Sequence, residues 1–151
     1  MKKALISFFM SLLLIGCSKD DDTPFSPEAL IGSWNVVETI FPPDDYSEDA
    51  TGQYETKTYT SGSFIYTFNE YAKLSIFRHT DGFTSTNEVS YHTFLNTLTI
   101  QYNENYIVSW NVEFFDGSTL KLHRQDWVFT SDDDDAMKVW CEWWITLKRR
   151  M

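Results

Sequence analysis

From about residue 33 onward, apolar and polar positions alternate in short runs. In YIVSWNVEFF the set Tyr106, Val108, Trp110, Val112 and Phe114 is apolar, while Ser109, Asn111 and Glu113 between them are polar. A period of two sends these sets to opposite faces of a β-strand. The same rhythm gives inward sets of Phe64, Tyr66 and Phe68 in GSFIYTF, of Ala72, Leu74 and Ile76 in YAKLSIF, and of Leu98, Ile100 and Tyr102 in TLTIQY. Turn formers separate the runs: Ser61-Gly62, Asn69-Glu70, Asp81-Gly82, Asn103-Glu104-Asn105 and Asp116-Gly117, several of which suit hairpins. Strands are predicted at about 33–41, 54–60, 63–69, 72–79, 85–94, 97–103, 105–115, 119–129 and 138–148. No long helical period occurs; Pro27 to Ile31 reads as a single helical turn. One-sided strands joined by short turns predict an all-β protein, an antiparallel meander of about eight to nine strands. Closing the meander into an up-and-down β-barrel removes its exposed edges; a β-sandwich is the alternative that periodicity leaves open.

The last strand differs from the others. Met137, Val139, Cys141, Trp143, Ile145 and Leu147 form its core set, yet the opposite face carries Trp140, Glu142 and Trp144. Two readings of that face follow: the Pro42 to Tyr54 segment or a neighbouring chain covers it, or it is an open aromatic platform. Indoles stack on flat faces and a carboxylate between them accepts hydrogen bonds from hydroxyls, so an open platform suits a glycan or a protein partner.

The first residues follow another logic. Met1-Lys2-Lys3 precedes the mostly apolar run ALISFFMSLLLI, and the chain turns polar directly after Cys17, which is the layout of a secretory leader. A membrane-spanning helix needs about 20 apolar residues, and this run is shorter. Leu14-Ile15-Gly16-Cys17 resembles the lipobox of bacterial lipoproteins. That resemblance implies a signal peptide over residues 1–16, cut before Cys17, and acylation of Cys17 by chains such as palmitate. Acyl chains contribute about 0.8 kcal/mol per buried methylene, enough to anchor a protein without a transmembrane helix. Ser18, Lys19, Asp20, Asp21 and Asp22 resemble the export signal that Bacteroidota lipoproteins carry after the cysteine, which implies the outer membrane and its cell-surface face. Residues 17–27 then read as a lipidated acidic tether and 28–151 as one domain.

Charge and composition narrow the chemistry. The formal net charge is −10, and loss of Lys2 and Lys3 with the leader makes it −12, a poor match to nucleic acid, whose phosphates need clustered Lys and Arg. Aromatic residues make up 17% of the chain, which suits either a core of large flat side chains or a binding surface. With Cys17 acylated, Cys141 has no disulfide partner and reads as a buried inert thiol. The sequence has no Gly-x-Ser-x-Gly elbow, and His79, His92 and His123 lack metal-ligand spacing. Asp132 to Asp135 stack their acids without the interleaving and glycine of a calcium loop. For glycosidase chemistry, which needs two opposed carboxylates, the candidates are Glu38, Glu113 and Glu142, which lie mid-strand. Neither catalysis, nor a metal, nor a cofactor is expected.

Gly32-Ser33-Trp34, within LIGSWNVVE, matches the Gly-x-Trp that opens the first strand of lipocalins. With TFNEYAKLSI and the terminal Leu147-Lys148-Arg149-Arg150, residues 30–150 resemble the lipocalin-like lipoproteins of Bacteroidota. The resemblance implies a barrel whose closed end is crossed by Trp34, with Arg149 or Arg150, and less so Lys148, lying over it. It also implies non-catalytic binding of a small apolar or amphipathic ligand in the barrel mouth, for which alternation supplies Trp34, Tyr66, Phe68, Trp110, Phe114 and Trp143 as the wall. The sequence departs from the full family in lacking a central Thr-Asp-Tyr stretch and a helix after the last strand, so whether the lumen is open or filled by its own side chains stays undecided. The alternative is a glycan- or protein-interaction module, an accessory subunit of an outer-membrane uptake complex, acting through Trp140, Glu142 and Trp144.

Overall fold

The computed structural model describes residues 25–43, 54–129 and 138–151. A single helical turn, α1 (Pro27–Leu30), leads into β1 (Gly32–Phe41), β2 (Glu55–Thr58), β3 (Phe64–Phe68), β4 (Lys73–Thr80), β5 (Phe83–Phe94), β6 (Thr97–Gln101), β7 (Ile107–Phe115), β8 (Thr119–Phe129) and β9 (Lys138–Arg149). The strands form one antiparallel sheet in the order β2-β1-β3-β4-β5-β6-β7-β8-β9, and β1 also pairs with β9. That last pairing closes an eight-stranded up-and-down barrel of β1 and β3–β9, with β2 as an extra strand, so the barrel and not the sandwich is the architecture. Every predicted strand is present with its ends within two residues of the expectation.

β1 is shared along its length. Gly32–Asn35 pairs with β3 and Glu38–Phe41 with β2, while the other edge runs along β9 from Trp34 to Ile40. Two irregularities set which side chains face inward. The β1–β9 register shifts between Val36 and Glu38, and the β7–β8 register shifts between Val112 and Phe114. An extra residue in one strand reverses the inside-outside phase beyond it. On β1 the inward set therefore passes from Trp34 and Val36 to Thr39, which sits opposite Ile145, and then to Phe41. On β7 it passes from Val108, Trp110 and Val112 to Phe115.

Phe114, expected in the lumen wall, is thereby displaced to the outside: it is 46% exposed and stands opposite Lys121. Tyr106 and Ala72 leave their inward sets for a simpler reason, since both lie in turns; Tyr106 is 52% exposed and Ala72 has φ 57°. The tight β4–β5 turn uses Asp81-Gly82, with Gly82 at φ 81°, a conformation glycine adopts without steric cost.

Leu30, Trp34, Val36, Leu74, Leu98, Ile100, Leu120, Leu122 and Leu147 are removed from solvent. Each such side chain contributes about 1.5–3 kcal/mol relative to exposure. Phe25, placed by the sequence in the tether, is 7% exposed and meets Phe115 edge-on at 5.1 Å. The packed domain thus includes Phe25, and its boundary moves forward from residue 28. The expected leader, Cys17, the Ser18–Asp22 signal, Asp132–Asp135 and Met137 lie outside the described residues.

Candidate functional site

The two ends of the barrel are built differently. At one end the indole Nε1 of Trp34 donates to the Leu30 carbonyl at 2.8 Å, tying the first strand to α1. The Arg149 guanidinium lies 4.3 Å from the centre of the Trp34 ring. Its nitrogens donate to three carbonyls: Nε to Gly117 (2.8 Å), Nη1 to Ile31 (3.0 Å) and Nη2 to Ala29 (2.5 Å). Among the three basic candidates it is Arg149, therefore, that covers the indole. The planar fork stacks and donates in several directions at once. Gly32, at φ 124°, lets the chain pass beneath it, because a Cβ there would stand 3.1 Å from Arg149 Nη1. Phe115 packs beside the indole, 6.2 Å between ring centres, and completes the seal over the core; a cleft of about 540 Å³ flanks it, between α1, the turn before β4 and the end of β5.

At the other end the barrel opens into a cleft of about 320 Å³. Its apolar wall is Phe41, Phe64 and Ile145, joined by Tyr59 and Tyr66, and its basic groups are Lys57, Arg78 and His79. The rings continue downward as an edge-to-face ladder, Tyr59–Phe64–Tyr66–Phe68–Tyr91, with centroid separations of 5.1, 5.4, 6.3 and 5.0 Å. The Arg78 guanidinium lies 4.5 Å from the Phe64 ring centre and the Lys57 ammonium 5.6 Å from that of Tyr59. Burial, then the neighbouring Tyr102, pushes the Tyr66 hydroxyl far above the usual phenol range; burial also raises Tyr102. Both stay neutral hydroxyls able to donate or accept. The Tyr59 hydroxyl is 3.2 Å from Thr39 Oγ1.

Of the six residues expected in the lumen wall, Tyr66 lines this cleft. Trp34, Phe68 and Trp110 are buried in the barrel core and fill it; Trp110 Nε1 is buried with no hydrogen-bond partner. Trp143 is half-buried under Arg124, whose guanidinium is 4.8 Å from the ring centre and 2.6 Å from Asp126. Phe114 is outside. Sequence reasoning missed Phe41, Tyr59, Phe64, Lys57 and Arg78 as cleft residues. One signal was available: Arg78 continues the inward phase of Leu74 and Ile76 and pairs with Phe64 in register.

The outer face of β8 and β9 carries the cross-strand pairs Trp127–Trp140, Gln125–Glu142 and His123–Trp144. Trp140 is 43% and Trp127 56% exposed, with ring centroids 5.1 Å apart at 66°. Trp144 is covered: His123 stacks on it at 4.8 Å and 8°, and Tyr54 meets it edge-on at 5.4 Å. Glu142 accepts a hydrogen bond from Gln125, and its Oε1 is 3.8 Å from His123 Nε2, which is buried without a hydrogen bond. The expected platform is thus open at Trp140 and closed at Trp144, and Trp127 was not foreseen. A second cleft of about 320 Å³ beside Trp144 brings together Glu38, Glu113, Lys121 and Tyr54. Cys141 is buried, and burial pushes its thiol up. Among the described residues, no three His, Cys, Asp or Glu side chains gather to hold a metal.

No protein-family model matches the sequence, and no curated protein does. The chain is similar in structure to a lipocalin-like protein from Bacteroides uniformis (16% identity, TM-score 0.47, covering 82% of this chain and 99% of that one). It is also similar to an uncharacterized protein from Bacteroides eggerthii (11% identity, TM-score 0.47, covering 79% and 98%). A bovine odorant-binding protein, a deswapped triple mutant, aligns at 13% identity and TM-score 0.44, covering 80% and 74%.

Proposed function

We propose that this is a lipid-anchored lipoprotein of the outer membrane, displayed at the cell surface, that binds a small amphipathic ligand in the mouth of its barrel without transforming it. The observation that carries the ligand reading is the mouth cleft of about 320 Å³, walled by aromatic and aliphatic side chains with a few polar groups and continuous with the ring ladder of the interior. That composition, and a volume at the lower end of the roughly 300–1,000 Å³ range, are those of a small-molecule site. The cleft of about 540 Å³ at the other end is lined instead by α1, the turn before β4 and the end of β5, with neither Trp34 nor Arg149 in its wall. The anchor reading rests on Cys17 in its lipobox-like setting and on Ser18–Asp22 behind it.

Native mass spectrometry of the full chain purified from its own host tests the ligand. A bound molecule of defined mass is expected; a bare chain from every preparation counts against binding. Labelled palmitate should enter the protein and be lost in Cys17→Ala, and protease added to intact cells should cut it; survival of the protein would overturn surface display.

A second reading, a glycan- or protein-interaction module serving an uptake complex, is favoured by one observation: the exposed Trp127–Trp140 pair beside Glu142. Trp127→Ala with Trp140→Ala should then leave the melting temperature nearly unchanged and abolish capture on glycan arrays or by a barrel transporter.

A further inference from the structure

We infer that the mouth cleft selects an anionic amphiphile, a ligand with a carboxylate or phosphate head and a short apolar tail, with the head held by Arg78 and Lys57. The inference rests on the mouth-cleft reading above and adds the chemical class of the ligand. Three observations carry it.

The first is a local reversal of charge. Asp and Glu outnumber Lys and Arg by 22 to 12 in the chain, yet among the described residues the charged side chains lining the mouth cleft are Lys57 and Arg78, with His79 beside them and no acid. The outer cleft of the same size is lined by Glu38 and Glu113 beside Lys121, so among the described residues the linings of the two clefts differ in charge.

The second is that Arg78 has no acidic partner among the described residues. Arg124, by comparison, is paired with the carboxylate of Asp126. Arg78 lies against Phe64 without an acidic partner, whereas Arg149, in the same kind of stack, donates to three carbonyls. A guanidinium held over a ring without a carboxylate partner has N–H donors to offer, and that fork matches a carboxylate or phosphate in two bonds. Lys57, over Tyr59, adds a second cation as a point charge.

The third is what surrounds the cations. Tyr59 and Tyr66 bring hydroxyls to the cleft, and Phe41, Phe64 and Ile145 bring apolar surface. A headgroup and a tail therefore find matching walls in one cleft. The position of Arg78 follows from strand phase: it is the inward residue after Leu74 and Ile76, and its register partner is Phe64.

The test is calorimetric titration of the full chain in phosphatidylcholine nanodiscs, with empty discs subtracted, using octanoate, octyl phosphate and octanol. These probes share a tail and differ in the head. At least one anion should bind about tenfold or more tightly than octanol. Whichever of the two binds better assigns the head as carboxylate or phosphate. Arg78→Gln should bring the anion's affinity down to that of octanol and leave octanol within about twofold; Lys57→Gln should weaken the anion several-fold, an independent check should the first variant fold poorly. Octanol binding as tightly as both anions overturns the selectivity and leaves the mouth-cleft reading standing, as does an Arg78→Gln variant that weakens all three alike. Binding of none of the three overturns both.

Discussion

Two arginine–aromatic stacks mark the two ends of the barrel. Arg149 lies 4.3 Å from the ring centre of Trp34 and Arg78 lies 4.5 Å from that of Phe64, so the stacks themselves are nearly the same. Their surroundings are not. At the sealed end a four-residue helix leaves carbonyls that lack helical partners, and Arg149 and the Trp34 indole take up those of Ala29, Ile31 and Leu30. At the open end no helix caps the barrel among the described residues, and Arg78 faces a cleft. An arginine over an aromatic ring closes a barrel where backbone acceptors are within reach and presents a cation where they are not.

The comparison can be broken by substitution, and the largest effect belongs to the sealed end. Trp34→Ala removes a fully buried ring and its hydrogen bond to Leu30, and should cost about 3–5 kcal/mol in chemical denaturation. Arg149→Ala leaves three carbonyls without their donor and should cost about 2 kcal/mol or more, with Arg149→Lys recovering little because an ammonium lacks the fork. Gly32→Ala forces a non-glycine residue to φ 124° against Arg149 and should cost about 1–3 kcal/mol. By contrast Arg78→Gln should change stability by less than about 1 kcal/mol, the size of an exposed cation–π contact, while acting on binding. A loss as large as that of Arg149→Ala would make Arg78 a structural residue and remove the contrast.

Much of this architecture was legible because each strand buries one face, so that a period of two locates strands and core together. Turn residues then punctuated the chain at most of the observed hairpins, the β5–β6 turn at Leu95-Asn96 being unmarked. Legibility failed where the phase changed. Neither shifted segment, Val36–Glu38 or Val112–Phe114, contains a glycine or proline to announce it, so the alternation read straight through and put Phe114 in the wall in place of Phe115. The paired prediction is that Phe115→Ala, which loses ring contacts to Phe25 and Trp34, should cost about 1–3 kcal/mol, while Phe114→Ala stays within about 0.5 kcal/mol. Equal costs would contradict the register shift.

The cleft was harder to read than the core for a different reason. Attention to apolar alternation passed over cations in the inward phase: Arg78 follows Leu74 and Ile76, and Arg124 follows Leu120 and Leu122. A strand whose inward set ends in a charged residue marks where the barrel interior meets water. The outer face shows the opposite difficulty. Trp140 and Trp144 are equivalent by phase, and what separates them is Tyr54, distant in the chain, packed on one and not the other.

Photolabelling with a diazirine-bearing octanoate, followed by peptide mapping of the full chain in nanodiscs, tests most directly where the ligand sits. Label on peptides carrying Tyr59, Phe64 and Arg78, competed away by unlabelled octanoate, is the predicted result. Label confined to the Trp127–Trp140 face, or label that octanoate does not displace, would contradict the mouth as the binding site.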